Sequence, residues 1–157
     1  MSSSEIQICN VDENDLEALV ELRIKAMQPS LEAVGRFDPL RARERFVNSF
    51  VAADTQKIIR DAQLLGFYVM HVKSDHLWLD HLYIDPEHQG IGLGEQVLEK
   101  LKQRARAANW PLRLGALKES RANLFYLKNE FIQIETQQWD NIYQWTAIEG
   151  IQQCLEK

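Results

Sequence analysis

The chain has 157 residues, 45% of them hydrophobic, which suits one globular domain with a sizeable core. No apolar run approaches the roughly 18 residues of a membrane-spanning helix. The opening Met-Ser-Ser-Ser-Glu lacks the basic and apolar regions of a signal peptide. The net charge of −5 argues against a nucleic-acid partner. We therefore expect a single cytoplasmic domain over residues 1–157, with neither a membrane nor a nucleic-acid partner.

The hydrophobic pattern predicts eleven elements in the order β α α β β β α β α β β. Short apolar runs bounded by turn residues predict strands at 5–9, 55–60, 64–72, 77–84, 111–117, 131–136 and 141–146. Strands that alternate with helices around a mixed sheet predict an α/β sandwich.

Four helices are expected between these strands. Asp12 is a suitable N-cap for the first helix, and Pro29 is expected to end it, leaving a loop or broken helix over 29–39. A second helix is expected over about 40–50. A third carries one apolar face made by Val97, Leu98, Leu101 and Ala105. Ser120 is a plausible N-cap for a short fourth helix, and 147–157 are expected to form a tail or short helix.

Three glycines, Gly90, Gly92 and Gly94, lie where the strand at 77–84 turns into the third helix. Glycine allows positive φ and leaves no Cβ in the way of a ligand. The first turn of a helix has unpaired N–H groups and a partial positive charge, which suit a phosphate or pyrophosphate. The motif therefore predicts an anionic cofactor held by main-chain donors.

The glycine spacing separates the known phosphate loops. A dinucleotide fingerprint requires G-x-G-x-x-G, and Glu95 stands where its third glycine would fall; a Walker A loop requires Gly-Lys followed by Ser or Thr, which this chain lacks. A nucleotide-binding α/β protein is therefore disfavoured. The remaining pattern, Gln89-x-x-Gly92-x-Gly94, resembles the acyl-CoA pyrophosphate loop of the GNAT (Gcn5-related) N-acetyltransferases.

A second stretch resembles the same family. Its short-helix signature is matched in register by Ala122, Phe125, Tyr126 and Phe131. Two positions depart from it. Glu119 replaces the usual asparagine, whose hydrogen bond near the cofactor Asn123 could supply. Glu130 replaces the usual glycine, and we expect the neighbouring Asn129 to adopt the left-handed conformation that the helix end needs.

The resemblance implies a GNAT-like fold, with a mixed, mostly antiparallel sheet of about seven strands flanked by about four helices. It also implies acetyl-CoA as cosubstrate, bound within a core over about 64–131. The implied cofactor-binding residues are Leu82, Tyr83, Ile84, Gln89, Gly90, Ile91, Gly92, Leu93, Gly94 and Asn123.

Acyl transfer to an amine needs an acid for the leaving thiolate and a base for the ammonium. Tyr126 matches the tyrosine acid of the family, since a phenol can protonate a thiolate with only a small uphill step. Asp80 and His81 are the candidate bases; strand alternation places them on opposite faces, so only one faces the cleft unless a bulge intervenes. Ordered water is the alternative base. No metal site is expected.

The predicted function is therefore an acetyl-CoA-dependent N-acetyltransferase that acts on a primary amine of a small molecule or peptide. The alternative is a non-catalytic acyl-CoA sensor or interaction domain of the same fold. The chain is expected to be a monomer or homodimer. The sequence does not identify the acceptor, because the residues that would select it, 25–50 and 133–142, are those least like the family.

Overall fold

A computed structural model describes residues 5–33, 35–88 and 92–147. Within these ranges the chain forms seven strands and four helices. The strands are β1 (Gln7–Asn10), β2 (Thr55–Arg60), β3 (Gln63–Val72), β4 (Leu77–Ile84), β5 (Leu112–Leu117), β6 (Ile132–Thr136) and β7 (Asp140–Trp145). The helices are α1 (Leu16–Ala33), α2 (Pro39–Ser49), α3 (Leu93–Ala108) and α4 (Ala122–Lys128).

The strands form one mixed sheet in the order β1-β2-β3-β4-β5-β7-β6. β4 and β5 run parallel, with Leu77 opposite Leu112. The pairs β1–β2, β2–β3, β5–β7 and β6–β7 are antiparallel. The predicted fold class, a mostly antiparallel seven-stranded sheet with four helices, is confirmed.

The chain divides into two compact units, and the first comprises the described residues up to Met70 together with His81–Leu93. Its core is formed where the apolar stripe of α1 meets aromatic side chains of α2 and β3. The Phe46 and Phe67 rings pack edge to face with centroids 5.4 Å apart. The buried residues of this cluster are Leu19, Val20, Leu22, Phe46, Phe67 and Val69.

The second unit comprises His71–Asp80 and the described residues from Gly94 onward. On α3, the side chains that were predicted to form one apolar face, Val97, Leu98, Leu101 and Ala105, are all essentially inaccessible to solvent. Leu112 and Leu114 alternate inward on β5, and Tyr143 is buried on β7. The period-3.6 and period-2 patterns therefore identify the buried faces of this unit correctly.

Three local predictions are wrong. Pro29 does not end the first helix, since α1 continues to Ala33; a proline removes one hydrogen bond to the preceding turn, and the residues after it remain helical. Ser120 is not the N-cap of α4, because its hydroxyl donates to the Leu117 carbonyl and Arg121 occupies the cap position. Asn129 keeps a negative φ.

Glu130, rather than Asn129, adopts the left-handed backbone after α4, with φ of 76°. The Asn129 side chain instead donates to the Phe125 carbonyl at 2.8 Å, which closes the last turn of the helix. The turn at the position of the family glycine is thus retained with a glutamate in it. The predicted tail lies outside the described residues from 148 onward.

Candidate functional site

A hydrogen-bonded turn at Asp85 fixes the segment that leads from β4 to the glycine-rich loop. The Asp85 N–H donates to the Leu65 carbonyl at 2.8 Å, and its carbonyl accepts from the N–H of His88 at 2.8 Å. The Asp85 carboxylate accepts from the N–H of Glu87 at 3.0 Å. The entry to the loop is therefore anchored to β3 within the first unit.

The Asp85 carboxylate is also the partner of Lys25 on α1, whose ammonium lies 3.2 Å from it. Partial burial raises the pKa of the Asp85 carboxyl. The hydrogen bonds from the Glu87 N–H and the Lys25 ammonium lower it by a larger amount, so this pKa lies below its ordinary value. The carboxylate is ionised at neutral pH and ties α1 to the start of the loop.

The loop itself is only partly described. Gln89, Gly90 and Ile91, three of the predicted cofactor-binding residues, lie outside the described residues. Gly92 has φ of 79°, a conformation that glycine adopts without strain. Leu93 follows as the first residue of α3 and is 1% exposed. The described end of the loop is therefore a left-handed glycine leading into an anchored helix start.

Gly94 and Gly66 allow close packing beside the predicted cofactor segments. A Cβ on Gly94 would approach the Phe125 ring to 3.0 Å, so α3 and α4 pack closely there. A Cβ on Gly66 of β3 would lie 2.3 Å from the main-chain oxygen of Tyr83. Gly66 was missed by sequence reasoning; its only signal was a glycine inside a strand-like run.

His81 lies in a polar network inside the first unit. Its Nδ1 is 3.1 Å from the hydroxyl oxygen of Tyr83, and its ring packs edge-on to Phe46 with centroids 6.2 Å apart. Arg23 of α1 donates from Nε to the Tyr83 hydroxyl at 3.4 Å. A second guanidinium nitrogen donates to the Ala42 carbonyl. The His81 and Tyr83 side chains are on the same face of β4, as expected for residues two apart.

Arg23 was also missed by sequence reasoning. It is 7% exposed, and its guanidinium lies 5.6 Å from the centre of the Phe46 ring. The available signal was its position on the apolar stripe of α1, four residues after Leu19. A buried arginine requires polar partners, and the Tyr83 hydroxyl and the Ala42 carbonyl supply them.

Asp80, the other candidate base, belongs to the second unit and has a different partner. Its carboxylate lies 3.2 Å from Nε2 of His71 on β3. Both side chains are partly accessible to solvent. The alternation predicted for Asp80 and His81 is consistent with these separate surroundings.

Tyr126 is 8% exposed and lies in an aromatic cluster of the second unit. Its ring centroid is 5.3 Å from Phe125, 5.6 Å from Phe131 and 6.2 Å from Tyr143. The ring is therefore held by packing on several sides, which favours one fixed position for the phenol.

Asn123 is engaged in hydrogen bonds within the second unit. Its amide nitrogen donates to the carbonyls of Leu117 at 2.7 Å and Ser120 at 2.8 Å. Its amide oxygen accepts from the Tyr143 hydroxyl at 2.7 Å and from Asn141 at 2.9 Å. Asn123 joins α4 to β5 and β7, so a contact with a cofactor would have to be made beside these bonds.

The described residues present neither a metal-binding cluster nor a membrane-spanning helix. No group of three or more histidine, cysteine, aspartate and glutamate side chains there is arranged to hold a metal ion. Among the same residues, no helix combines the length and hydropathy needed to cross a bilayer.

Comparison with known proteins identifies the domain type. A family profile described as an acetyltransferase (GNAT) domain matches residues 46–133, more than half of the chain. This match runs from α2 to β6 and includes the glycine-rich loop. None of the curated proteins matches the sequence.

Solved structures share the fold at low sequence identity. A PaiA N-acetyltransferase from Thermoplasma acidophilum in complex with coenzyme A is 19% identical, with a TM-score of 0.80 covering 91% of this chain and 99% of that one. A GCN5-related N-acetyltransferase from Rhodopseudomonas palustris is 15% identical (TM-score 0.73; 94% and 99% covered). The ribosomal-protein-S18-alanine N-acetyltransferase from Escherichia coli is 17% identical (TM-score 0.69; 90% and 94% covered).

Proposed function

The chain belongs to the GNAT acetyltransferase family, and from this membership we propose that it transfers the acetyl group of acetyl-CoA to a primary amine of a small molecule or peptide. The profile match over residues 46–133 is the observation that carries the proposal. Acetyl-CoA is the acyl donor of the family. We propose that residues 1–157 act as one acetyltransferase domain.

The cofactor is proposed to bind along the end of β4 and at the start of α3. Main-chain groups of Leu82, Tyr83 and Ile84 are assigned to the pantetheine arm, and N–H groups over 89–94 to the diphosphate. The left-handed Gly92 and the buried Leu93 support the second assignment, because they fix the start of α3, and the first amides of a helix have no partners within it. Asn123 remains a predicted contact whose amide already has partners in the fold.

Tyr126 is proposed as the acid that protonates the leaving thiolate. Its support is the sequence position and the aromatic packing that fixes the ring. Between the two candidate bases, the hydrogen-bonded position of His81 favours it over Asp80, which is paired with His71. Histidine also titrates closest to neutral pH.

The acceptor is best found by direct assay. Full-length protein with acetyl-CoA is offered polyamines, aminoglycosides, amino acids and peptides with free N-termini, and released thiol is measured; calorimetry measures coenzyme A binding in parallel. We expect micromolar coenzyme A binding and thiol release with one acceptor class. Coenzyme A binding without release for any acceptor would indicate the non-catalytic sensor, and no binding would reject the acetyl-CoA function altogether.

A further inference from the structure

Arg23, Tyr83 and His81 form a chain of hydrogen bonds inside the first unit, and the direction of this chain has a chemical consequence. The Nε–H of Arg23 can only donate, so the Tyr83 oxygen is the acceptor of the 3.4 Å bond. A hydroxyl that accepts from a cation becomes a stronger donor, because successive hydrogen bonds polarise one another. The 3.1 Å contact between Tyr83 and His81 Nδ1 is therefore best filled by the Tyr83 proton.

We propose that this chain makes Tyr83 the proton relay of the acetyl transfer, with Arg23 as the residue that positions it. The inference rests on the proposed function. In neutral His81 the ring proton is on Nε2, and Nδ1 receives the Tyr83 hydrogen bond. Nε2 therefore cannot take a proton from the acceptor, and the basic nitrogen is reached through Tyr83.

The proton balance of the relay is closed. An N–H bond of the acceptor ammonium breaks, directly or through one water, as a new O–H bond forms on Tyr83. The original Tyr83 O–H bond breaks as an N–H bond forms on His81 Nδ1. The products are the neutral amine, Tyr83 with its hydroxyl proton replaced, and an imidazolium at His81. After the product leaves, the Tyr83 O–H proton passes to water as the Nδ1 proton returns to the Tyr83 oxygen, which restores the neutral Nε2–H tautomer.

The surroundings hold this arrangement in place. Arg23 is fixed by a second donation to the Ala42 carbonyl and by the face of the Phe46 ring. The Tyr83 ring packs against Phe67 with centroids 5.4 Å apart. Arg23 reaches the Tyr83 hydroxyl from α1, and Phe46 of α2 packs against both the His81 ring and the Arg23 guanidinium. The guanidinium beside the oxygen stabilises the negative charge that develops there during transfer.

The tautomer is tested first, on the wild-type protein without ligand. Long-range ¹H–¹⁵N correlation of the His81 ring nitrogens is expected to show protonated Nε2 and unprotonated Nδ1 at a pH where the ring is neutral. The opposite tautomer would overturn the proposal, because Tyr83 would then accept from His81 and could not pass a proton to it. This measurement needs no variant and no substrate.

Kinetics test the relay itself. Tyr83→Phe keeps the ring that packs against Phe67 and removes only the hydroxyl. We expect its kcat to fall at least about tenfold, with the Kd of coenzyme A retained within about twofold. The wild-type rate in H₂O–D₂O mixtures should curve with deuterium fraction, as two protons move together, and the residual Tyr83→Phe rate should vary linearly.

Tyr68→Phe is the matched control, since it removes the hydroxyl of a buried tyrosine in the same unit as the partly buried Tyr83. Its kcat should stay within about twofold of wild type. Arg23→Lys keeps the charge but not the Nε–H geometry and should give a mixture of His81 tautomers. If the wild type turns over and Tyr83→Phe keeps full activity, the relay is rejected and the acetyltransferase function stands. An inactive wild type rejects the function itself.

Discussion

Gly94 lies so close to the Phe125 ring that a Cβ at this position would come within 3.0 Å of the Phe125 Cζ atom. The last glycine of the phosphate-loop pattern therefore has a packing role between α3 and α4, in addition to the cofactor role that the family resemblance implies. The two roles are separable, because the packing role depends on Phe125 and the cofactor role does not.

A double-mutant cycle separates them. Gly94→Ala should lower the free energy of unfolding by about 1 kcal/mol, since the added methyl group displaces the Phe125 ring. In a Phe125→Leu background the same substitution should cost little, because the ring is gone. Urea denaturation of the four proteins measures the coupling. Equal costs in both backgrounds would show that the Phe125 contact does not restrict Gly94.

Gly66→Ala should be more damaging, because the atom that its Cβ meets is backbone. A Cβ there would lie 2.3 Å from the Tyr83 main-chain oxygen, and neither strand can move aside cheaply. We expect a loss of about 2–3 kcal/mol in unfolding free energy. Coenzyme A should also bind more weakly in calorimetry, since the displaced segment of β4 is the one proposed to hold pantetheine.

Gly115→Ala is the control for this substitution. Its Cβ would meet the Cδ1 atom of Ile142 at 3.3 Å, and that atom is the end of a flexible side chain. Its unfolding free energy should stay within about 1 kcal/mol of wild type. Similar losses for the two glycines would mean that the close approach of β3 to β4 is not what requires Gly66.

Tyr126→Phe tests the proposed acid. It should reduce kcat at least about tenfold, because the phenol proton is lost while the ring stays in place against Phe125 and Phe131. The Kd of coenzyme A should be nearly unchanged by calorimetry. Unchanged turnover would leave Tyr126 as a packing residue of the aromatic cluster.

Periodic features of this fold were predictable from the sequence because each depends on residues close together in the chain. The strand at 77–84 and the buried face of α3 follow from hydropathy at spacings of two and three to four residues. The glycine-rich loop between them follows from the same local order. These features identify the fold and the segment where a cofactor is proposed to bind.

Contacts between distant residues were not predictable. Arg23 is recognisable as a cation on an apolar stripe, but its partners Tyr83 and Ala42 are 60 and 19 residues away. Gly66 is required by the close approach of the Tyr83 main chain, which lies 17 residues later on β4. Such requirements exist only once the strands and helices have assembled, so hydropathy patterns do not contain them.

The left-handed glutamate after α4 gives a stabilising substitution. Glu130 has φ of 76°, a conformation that costs an L-residue about 1 kcal/mol, and its exposed carboxylate is 3.5 Å from the ammonium of the buried Lys102. Glu130→Gly should raise the unfolding free energy by about 1 kcal/mol, because the backbone strain is relieved while Lys102 keeps its hydrogen bond to the Asn129 carbonyl and loses only a solvent-exposed carboxylate.

Glu130→Gln separates the two contributions. It keeps the strained backbone and removes the charge beside Lys102, so its stability should lie within about 0.5 kcal/mol of wild type. Thermal and urea unfolding of both variants give the comparison. A glycine variant less stable than the glutamine variant would show that the ion pair matters more than the backbone conformation.

The stability that the Asp85 carboxylate contributes to the fold depends on pH. Its carboxyl pKa lies below the ordinary value of 3.8 in the folded protein, where partial burial is outweighed by the hydrogen bonds from Glu87 N–H and Lys25. The associated stability is therefore fully present above pH 3.8 and is lost as the pH falls through the lower folded value.

Asp85→Asn retains an oxygen for the Glu87 N–H but lacks the charge, so the variant should be less stable than wild type at pH 7, and the difference should shrink below pH 4. Urea unfolding at several pH values from 7 to 3 gives this difference. In a Lys25→Met background the pH-dependent part should become smaller, because one of the groups that lower the Asp85 pKa is missing. A wild-type advantage that stays constant down to pH 3 would show that the turn is held by Asp85 geometry alone and owes nothing to its charge.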